Sequence, residues 1–274
     1  MSYGLDWDGS GSSRRMLYWA SPPAMYPITL LFKVYPRVQT YSAGDASKYF
    51  TTFFYGTNGY FQWGTNWEYS YYGSHPYPYP DRTQATAKWE IAYLGGDMLG
   101  REQSGYNSDS TAPYAVWNQW YSQAYVAATS GHRFYINLPN GTGLWSISAS
   151  GNPAVTPPSP IICMGQTANW NGKSWGGFDR WEEANEIIRG IQIYTSTLTE
   201  ARIVTLSGLD TDASVLSQCA AYGITPWYLN MDPRPTDVTD KSGSGHNPTW
   251  DGAGRPAEYA TASPPTGTIT LAVR

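Results

Sequence analysis

Charged residues are scarce in this chain of 274 residues. They make up 14% of it, against roughly 25% in ordinary globular domains, and the formal net charge is −4. Such a chain has no basic field that would collect nucleic acid or anionic lipid, because phosphate binding needs clustered Lys and Arg. We therefore expect neither a nucleic-acid partner nor a membrane partner.

Long hydrophobic runs are also missing. No window approaches the roughly 18 apolar residues of a membrane-spanning helix. The opening stretch, MSYGLDWDGSGSSRRMLYW, has no basic region followed by an apolar one, so it does not resemble a secretory signal. We expect a soluble chain that is synthesised in the cytoplasm.

Cysteine and histidine are rare. Cys163 and Cys219 are too few for a disulfide scaffold, and two buried free thiols are favoured over a pair, which stays open. The three histidines, His75, His132 and His246, fall in separate segments that are typical of solvated turns. No Cys/His cluster indicates zinc, and no G-x-S-x-G or H-E-x-x-H motif is present.

Patterns that predict short strands make up most of the chain. Aromatic residues are 16% of it, and 28 Gly and 20 Pro punctuate apolar segments, a pattern typical of an all-β, two-sheet antiparallel jelly-roll sandwich with one or two short helices. Alternation of apolar residues is clearest in YPITLLFKVYP. The predicted elements are a strand at 26–36, a meander at 48–73, an extended loop at 75–81, a strand at 87–97, a hairpin at 118–141 that closes near Ser130-Gly131, and strands at 160–167, 187–195 and 267–273.

The stretch RGIQIYTSTLTEARIVTL, residues 189–206, predicts a strand followed by a helix. Apolar residues alternate through the strand, and Thr197 can then cap the helix. Glu200, three places on, would complete a capping box, and Gly208 stands where a glycine commonly follows a helix. Its residue types offer no nucleophile and no paired acid, so we interpret the unit as architecture.

A second short helix is predicted at 213–222, capped by Asp212 and ended by Gly223. We expect residues 1–208 to form the sandwich. Residues 209–274 would then be a short helix and a loop-rich extension that packs on the same sandwich or on a neighbouring subunit.

A series of weak motifs in a consistent order carries a family resemblance. The chain reads LDWDGS, then ITLLFKV, then a pattern carried by Trp120, Ala124, Gly131, Phe134, Tyr135, Ile136 and Asn137, and then IICMGQ and GIQIYTSTLTEARI. This order resembles the laminin-G-type branch of the concanavalin A-like lectin/glucanase superfamily, over residues 3–206. The ending matches best, at Gly190, Ile193, Tyr194, Leu198, Glu200 and Ile203.

The resemblance implies a lectin-like jelly roll of the kind found in phage structural proteins. The tail segment DVTDKSGSGHNPTW, residues 237–250, is similar to a segment that often stands near the start of such domains. Because the fold class also hosts glycosidases and polysaccharide lyases, catalysis has to be tested against the residues.

Catalytic candidates are few. Retaining glycosidases need two carboxyls about 5–5.5 Å apart, and the glucanase relatives place theirs in a pattern like E-x-D-x-x-E. The nearest stretch is DRWEEANE, with Glu182 and Glu186 as weak candidates, but Ala184 stands where the central Asp belongs. A charged loop before the 187–195 strand is the favoured interpretation. No R-x-E-x-R or Q-x-H lyase motif appears.

Calcium is the one metal that the sequence leaves open. Asp232, Asp237 and Asp240 could converge, and DWDGSG at 6–11 resembles the start of a calcium loop without its distal Glu. Turn-stabilising hydrogen bonds of Asp side chains explain both stretches more simply. We expect no cofactor, with calcium possible.

The strongest functional signal is a set of aromatic residues in Gly/Asn-rich segments. Aromatic faces beside amide groups are typical of sugar stacking and equally of protein interfaces, although part of the set would fill the sandwich core. The candidate glycan-binding or interface residues are Trp63, Trp67, Tyr69, Tyr71, Tyr72, Tyr77, Tyr79, Trp170 and Trp175.

These features favour a non-catalytic structural or adhesion protein on a virion surface, most plausibly a phage decoration component. Its partners would be glycan, other virion proteins, or both, and copies would associate through an edge strand or the C-terminal extension, with TITLAV adding to an exposed sheet edge. A free-standing lectin is the first alternative. A polysaccharide-degrading hydrolase or lyase is the second.

Overall fold

The computed structural model describes the elements of the chain and part of their connections. The described residues are 2–8, 15–19, 27–36, 49–55, 61–67, 87–93, 98–99, 120–128, 130–137, 144–150, 162–164, 185–230, 238–252 and 257–261.

Strands dominate the described residues, and two short helices follow the twelfth strand. The helices are α1 (Glu200–Ser207) and α2 (Asp212–Ala221). The strands are β1 (Ser2–Asp8), β2 (Arg15–Trp19), β3 (Ile28–Pro36), β4 (Tyr49–Tyr55), β5 (Phe61–Trp67), β6 (Ala87–Tyr93), β7 (Met98–Leu99), β8 (Tyr121–Ala128), β9 (Gly131–Asn137), β10 (Leu144–Ser150), β11 (Ile162–Met164), β12 (Asn185–Tyr194), β13 (Trp227–Leu229), β14 (Thr249–Gly252) and β15 (Ala257–Thr261).

The strands form two antiparallel sheets. Sheet A has the order β10-β9-β8-β3-β12-β1-β15, and β13 pairs with β12 beside β1. Sheet B has the order β14-β2-β11-β4-β5-β6-β7. The three strands that follow the helices do not stay together, because β13 and β15 join sheet A whereas β14 pairs with β2 of sheet B.

The predicted strands that fall on described residues, and the main hairpin, are confirmed. β8 and β9 pair from Ser122↔Asn137 to Ala128↔Gly131, so the hairpin closes between Ala128 and Gly131, near the predicted Ser130-Gly131. Gly131 has φ 152°. The extended loop at 75–81 and the edge strand at 267–273 lie outside the described residues.

Strand β3 is buried on both faces. The alternation in ITLLFKVYP predicted the strand, and Ile28, Leu30, Phe32 and Val34 are at most 2% exposed. The intervening Leu31 is also fully buried, because the helices cover that face. Central strand β3 therefore separates two layers of side chains.

The second layer is an apolar cluster under the helices. Leu198 leads into it, and α1 and α2 each contribute their inward residues to one set that also includes residues of β3, β8, β9, β12 and β13. Its buried members are Leu31, Ala124, Val126, Tyr135, Tyr194, Leu198, Ile203, Leu206, Val215, Cys219 and Tyr228. Among the described residues no helix is long and apolar enough to cross a membrane.

The start of α1 differs from the prediction. Thr199, not Thr197, is the N-cap, and its side chain accepts a hydrogen bond from the Arg202 N–H at 3.5 Å. Glu200 is the first helical residue, so it follows the N-cap by one residue and not by the three that the predicted capping box requires. Thr29 explains the shift: its hydroxyl donates to Ser196 O (2.7 Å) and accepts from Leu198 N (3.0 Å), which fastens 196–198 to β3 before the helix begins.

The end of α1 and the start of α2 also differ in detail. Gly208 follows α1 with φ −79°. This angle lies in the right-handed region that any residue can adopt, so the position does not require glycine. Thr211, not Asp212, caps α2 and forms a capping box with Ser214. Gly223, predicted to end this helix, does follow it with φ +66°, where an L side chain would be strained.

The two threonines before α1 give a direct test of the cap. Replacing an N-cap Thr by Ala costs about 1 kcal/mol, so we expect Thr199→Ala to lower the free energy of unfolding by about that amount. The exposed Thr197 supplies the matched control, and Thr197→Ala should leave stability unchanged. Urea titration followed by tryptophan fluorescence measures both; a larger loss for the Thr197 variant would restore the original cap assignment.

Candidate functional site

The structure describes the backbone of some predicted site residues and omits others. Trp63 and Trp67 lie on β5, opposite Ile91 and Ala87 of β6. The remaining predicted aromatic residues lie outside the described residues, as do Glu182, Asp232 and Asp237.

Glu186 lies inside a strand, which corrects the prediction of a charged loop. β12 begins at Asn185, two residues earlier than expected, and Glu186 pairs with Trp7 of β1 and Pro36 of β3. His132 is likewise a strand residue, on β9 opposite Ala127, and not a turn residue. Neither cross-strand neighbour of Glu186 carries the second carboxyl that a retaining glycosidase needs.

A β-bulge in β12 builds the polar region that the sequence did not indicate. Arg189 pairs with Lys33 and Gln192 with Leu31, so β12 holds one extra residue there. Gly190 occupies the bulge with φ +62° and donates its N–H to Asn230 O at 3.0 Å. A bulge of this kind needs a left-handed residue, which glycine adopts without strain.

The bulge sets two buried cations against one carboxylate. Lys33 and Arg189 are 5% and 2% exposed. Arg189 Nη2 donates to Asp210 Oδ1 at 2.8 Å, and Lys33 Nζ binds the same oxygen. Lys33 Nζ also donates to Leu209 O at 2.9 Å. This buried charge cluster of Lys33, Arg189 and Asp210 therefore fastens the α1–α2 connection to the sheet.

The neighbours of the buried charge cluster are polar and aromatic. Trp120 lies under the Arg189 guanidinium, 5.1 Å from ring centroid to Cζ. Asn230 Nδ2 donates to Asp212 Oδ1 at 2.6 Å. Burial and the hydrogen-bonded Asp212 carboxylate raise the pKa of Tyr228 well above its ordinary value, so this phenol stays protonated. These contacts join α2 to β13.

Cys219 is a free, buried thiol beneath the helices. Its Sγ lies 3.4 Å from the Tyr194 hydroxyl, which also donates to Gln192 Oε1. Burial raises the pKa of both Cys219 and Tyr194. A protonated thiol in the core is a poor nucleophile, so Cys219 packs as an apolar residue. The predicted buried thiol is confirmed for this cysteine.

Asp240 organises a turn in the tail. It is 6% exposed, and Oδ1 accepts from Tyr228 N (3.1 Å), Ser242 N (2.9 Å) and Ser242 Oγ (2.7 Å). Oδ2 accepts from His246 N at 3.0 Å. Of the three aspartates proposed for calcium, it is the one that the structure describes. Among the described residues no three His, Cys, Asp or Glu side chains come together as a metal-binding group.

The same turn links the two sheets. The His246 ring stacks on Trp227 of β13, with centroids 3.9 Å apart and planes inclined by 16°. The His246 carbonyl accepts from Trp19 Nε1 of β2 at 2.9 Å. Trp227 and Trp19 are 9% and 3% exposed. His246 therefore contacts one buried tryptophan of sheet A and one of sheet B.

The Asp240 carboxylate makes stability depend on pH. Burial alone raises its pKa, but the hydrogen bonds from Ser242 and from the Tyr228 and His246 N–H groups outweigh burial and hold the pKa below its ordinary value. A group whose folded pKa is depressed stabilises the fold above its unfolded pKa, about 3.9. This contribution is lost as the pH falls through the folded pKa.

We therefore expect wild type to lose stability more steeply than Asp240→Asn below about pH 4. Asn cannot titrate, so the gap in the free energy of unfolding between the two proteins should be widest near neutral pH and narrow in acid. Urea titrations at a series of pH values measure it. A gap that stays constant from neutral to acid pH would contradict the role of the charged carboxylate.

Sequence reasoning missed the buried charge cluster. Two signals were present: a lysine inside an apolar strand, Lys33, and a glycine inside the alternating strand, Gly190, which is typical of a bulge. The partner Asp210 lies far along the chain from Lys33 and had no signal of its own.

The described part of the chain thus defines an antiparallel β-protein whose sheet A carries a helical layer. No protein-family model matches the sequence. No curated protein matches it either.

Among solved structures, the chain is similar to a heptameric SAP-like pentraxin from Limulus polyphemus, with a TM-score of 0.45 and 13% identity, over 75% of this chain and 81% of the pentraxin. It is also similar to the enzymatically active domain of tailspike protein 2 from bacteriophage CBA120, with a TM-score of 0.41 and 11% identity, over 68% of this chain and 24% of that one. Trypanosoma rangeli sialidase gives a TM-score of 0.35 with 13% identity, over 66% and 22%. Likenesses at this level assign no function, so the residues of the chain itself must carry the proposal.

Proposed function

We propose that this chain is a non-catalytic structural or adhesion protein of a phage virion surface, built as a concanavalin A-like two-sheet jelly roll. Aromatic residues in Gly/Asn-rich segments would contact glycan, neighbouring subunits, or both. The observation that supports the proposal is that the described buried charges bind other groups of the fold. Lys33 and Arg189 bind Asp210, and Asp240 accepts four hydrogen bonds.

The contacts of Lys33 and Arg189 with Asp210, and of Asp240 with Tyr228, each join one element to another. The Ser242 and His246 contacts of Asp240 lie within the tail turn. The Lys33–Arg189–Asp210 cluster holds the helices on sheet A, and Asp240 and His246 hold the tail against β13 and β2. A general acid or base has to be within hydrogen-bond reach of a substrate proton, and these groups are instead engaged with backbone and side chains of the fold. Their chemistry is that of a scaffold.

The aromatic surface supplies the binding function in this proposal. Stacking of an aromatic side chain on an apolar face, with amides beside it, suits both sugar rings and protein interfaces. Trp63 and Trp67 stand four residues apart on β5, and the other predicted aromatic residues come from segments close to β5 or β11 in sequence.

A glycan array tests this proposal. We expect wild type to retain a subset of glycans, and Trp63→Ala or Trp67→Ala to weaken retention at least tenfold, since stacked aromatic anchors carry much of the energy of a binding site. Tyr222→Ala, a half-buried aromatic at the end of α2, is the matched control and should bind as wild type does. Retention that is equal in all four proteins would contradict the assigned surface.

Association of copies is tested separately. If residues 262–274 add a strand to a neighbour, their deletion should lower the mass measured by light scattering. If the chain retains no glycan on the array and its mass is unchanged after this deletion, both the glycan-binding and the strand-exchange parts of the proposal are wrong. Measurable polysaccharide turnover would favour the hydrolase or lyase alternative.

A further inference from the structure

Strand β13 has an outward edge whose backbone groups need partners. β13 pairs with β12 through Ile191↔Leu229 and Ile193↔Trp227, with Tyr228 opposite Gln192 between them. In an antiparallel ladder, the N–H and C=O of one residue point to the same side. The N–H and the C=O of Tyr228 point away from β12, because each forms a hydrogen bond with a residue of the 238–248 segment.

The 238–248 segment fills that edge. Tyr228 N donates to Asp240 Oδ1 at 3.1 Å, and Lys241 N donates to Tyr228 O at 2.7 Å. One side-chain carboxylate and one backbone N–H thus take the places that the carbonyl and amide of a neighbouring strand would occupy. An added strand would have to displace both.

Hydrogen bonds within the segment hold it in this position. Asp240 N donates to Asn247 Oδ1 at 2.7 Å, and Ser244 N donates to Ser242 Oγ at 3.2 Å. Gly243 and Gly245 have φ near +78° and +77°, which lets the chain turn tightly enough for both oxygens of Asp240 to be used. The stacked His246 ring then covers Trp227.

Apart from its short length, β13 lacks within its own sequence the usual protection against strand addition. Natural edge strands carry Lys, Pro or inward-pointing charges that discourage pairing. The sequence of β13 is Trp-Tyr-Leu, which is uncharged and strongly favours strand structure. Protection of this edge therefore has to come from outside the strand.

We propose that the 238–248 segment is an edge cap that prevents β13 from pairing with β13 of a second copy of this chain. Two copies of one strand pair antiparallel about a two-fold axis, so the uncapped edge is complementary to itself. The cap keeps this contact closed, and Asp240 is the residue on which the cap depends.

Asp240→Ala tests the proposal with Ser244→Ala as the matched control. Ser244 is exposed, lies in the same turn and contacts Ser242 rather than β13. We expect Asp240→Ala to speed hydrogen exchange of the Tyr228 amide about tenfold or more, as expected when a hydrogen bond to a charged group is lost. Its mass by light scattering should rise with concentration beyond that of wild type. Ser244→Ala should match wild type in both measurements.

A milder substitution distinguishes loss of the edge cap from unfolding of the protein. Asp240→Asn keeps one acceptor oxygen, so it should retain the circular dichroism of wild type and show both changes to a smaller extent. A folded Asp240→Ala protein with wild-type mass would overturn the proposal, whatever the exchange rate of its Tyr228 amide. Equal association of Ser244→Ala and Asp240→Ala would overturn it as well.

Discussion

Asp210→Ala should be among the most destabilising single changes in this chain, lowering the free energy of unfolding by about 3 kcal/mol or more. The substitution leaves Lys33 and Arg189, at 5% and 2% exposure, without the carboxylate that both bind. Removing one partner of a buried ion pair is costly because the remaining charge has lost its hydration. Urea titration at neutral pH measures the change.

Two further variants separate charge from shape. Asp210→Asn removes the charge with little change in volume and should lose most of the same stability. The triple change Lys33→Met, Arg189→Met and Asp210→Leu removes all three charges together, and such replacements are often neutral. We expect it to recover much of the loss. A triple variant no more stable than Asp210→Ala would show that packing, not uncompensated charge, explains the effect.

Leu206→Ala should have an effect of similar size, about 3 kcal/mol. Leu206 is fully buried between α1 and sheet A, and its truncation leaves a cavity that the surrounding strands cannot close. Leu216 on α2 is only partly buried against the same cluster, so Leu216→Ala should cost less than half as much. Denaturant unfolding of the two variants checks the ratio. Equal, small losses would mean that α1 is a surface attachment and not part of the core.

The strands were predictable because their signals are local. Alternation identified β3 and β12, and a Ser-Gly pair placed the β8–β9 turn, since register and turn type depend on neighbouring residues. The helices were also located within one or two residues. Their caps were not, because the segment Thr195–Thr199 offers several hydroxyls and Thr29, on another strand, decides which of them caps α1.

The polar interior was not predictable for a related reason. A lysine in an apolar strand is compatible with an exposed face until its partner is known, and Asp210 reaches Lys33 only through the β12 bulge and the α1–α2 connection. Asp240 shows the reverse case. The sequence favoured a turn over a calcium ligand for this residue, but the donors that it binds include a strand residue, Tyr228, that no turn motif would name.

A polysaccharide-turnover assay decides whether the chain binds glycan without catalysis. Wild type and Glu186→Gln are incubated with the polysaccharides that wild type retains on an array, and new reducing ends or unsaturated products are measured. A non-catalytic binding protein retains the polysaccharide and gives no product, and we expect this of both wild type and Glu186→Gln. Product formed by wild type and abolished by Glu186→Gln would contradict it and establish the hydrolase or lyase alternative.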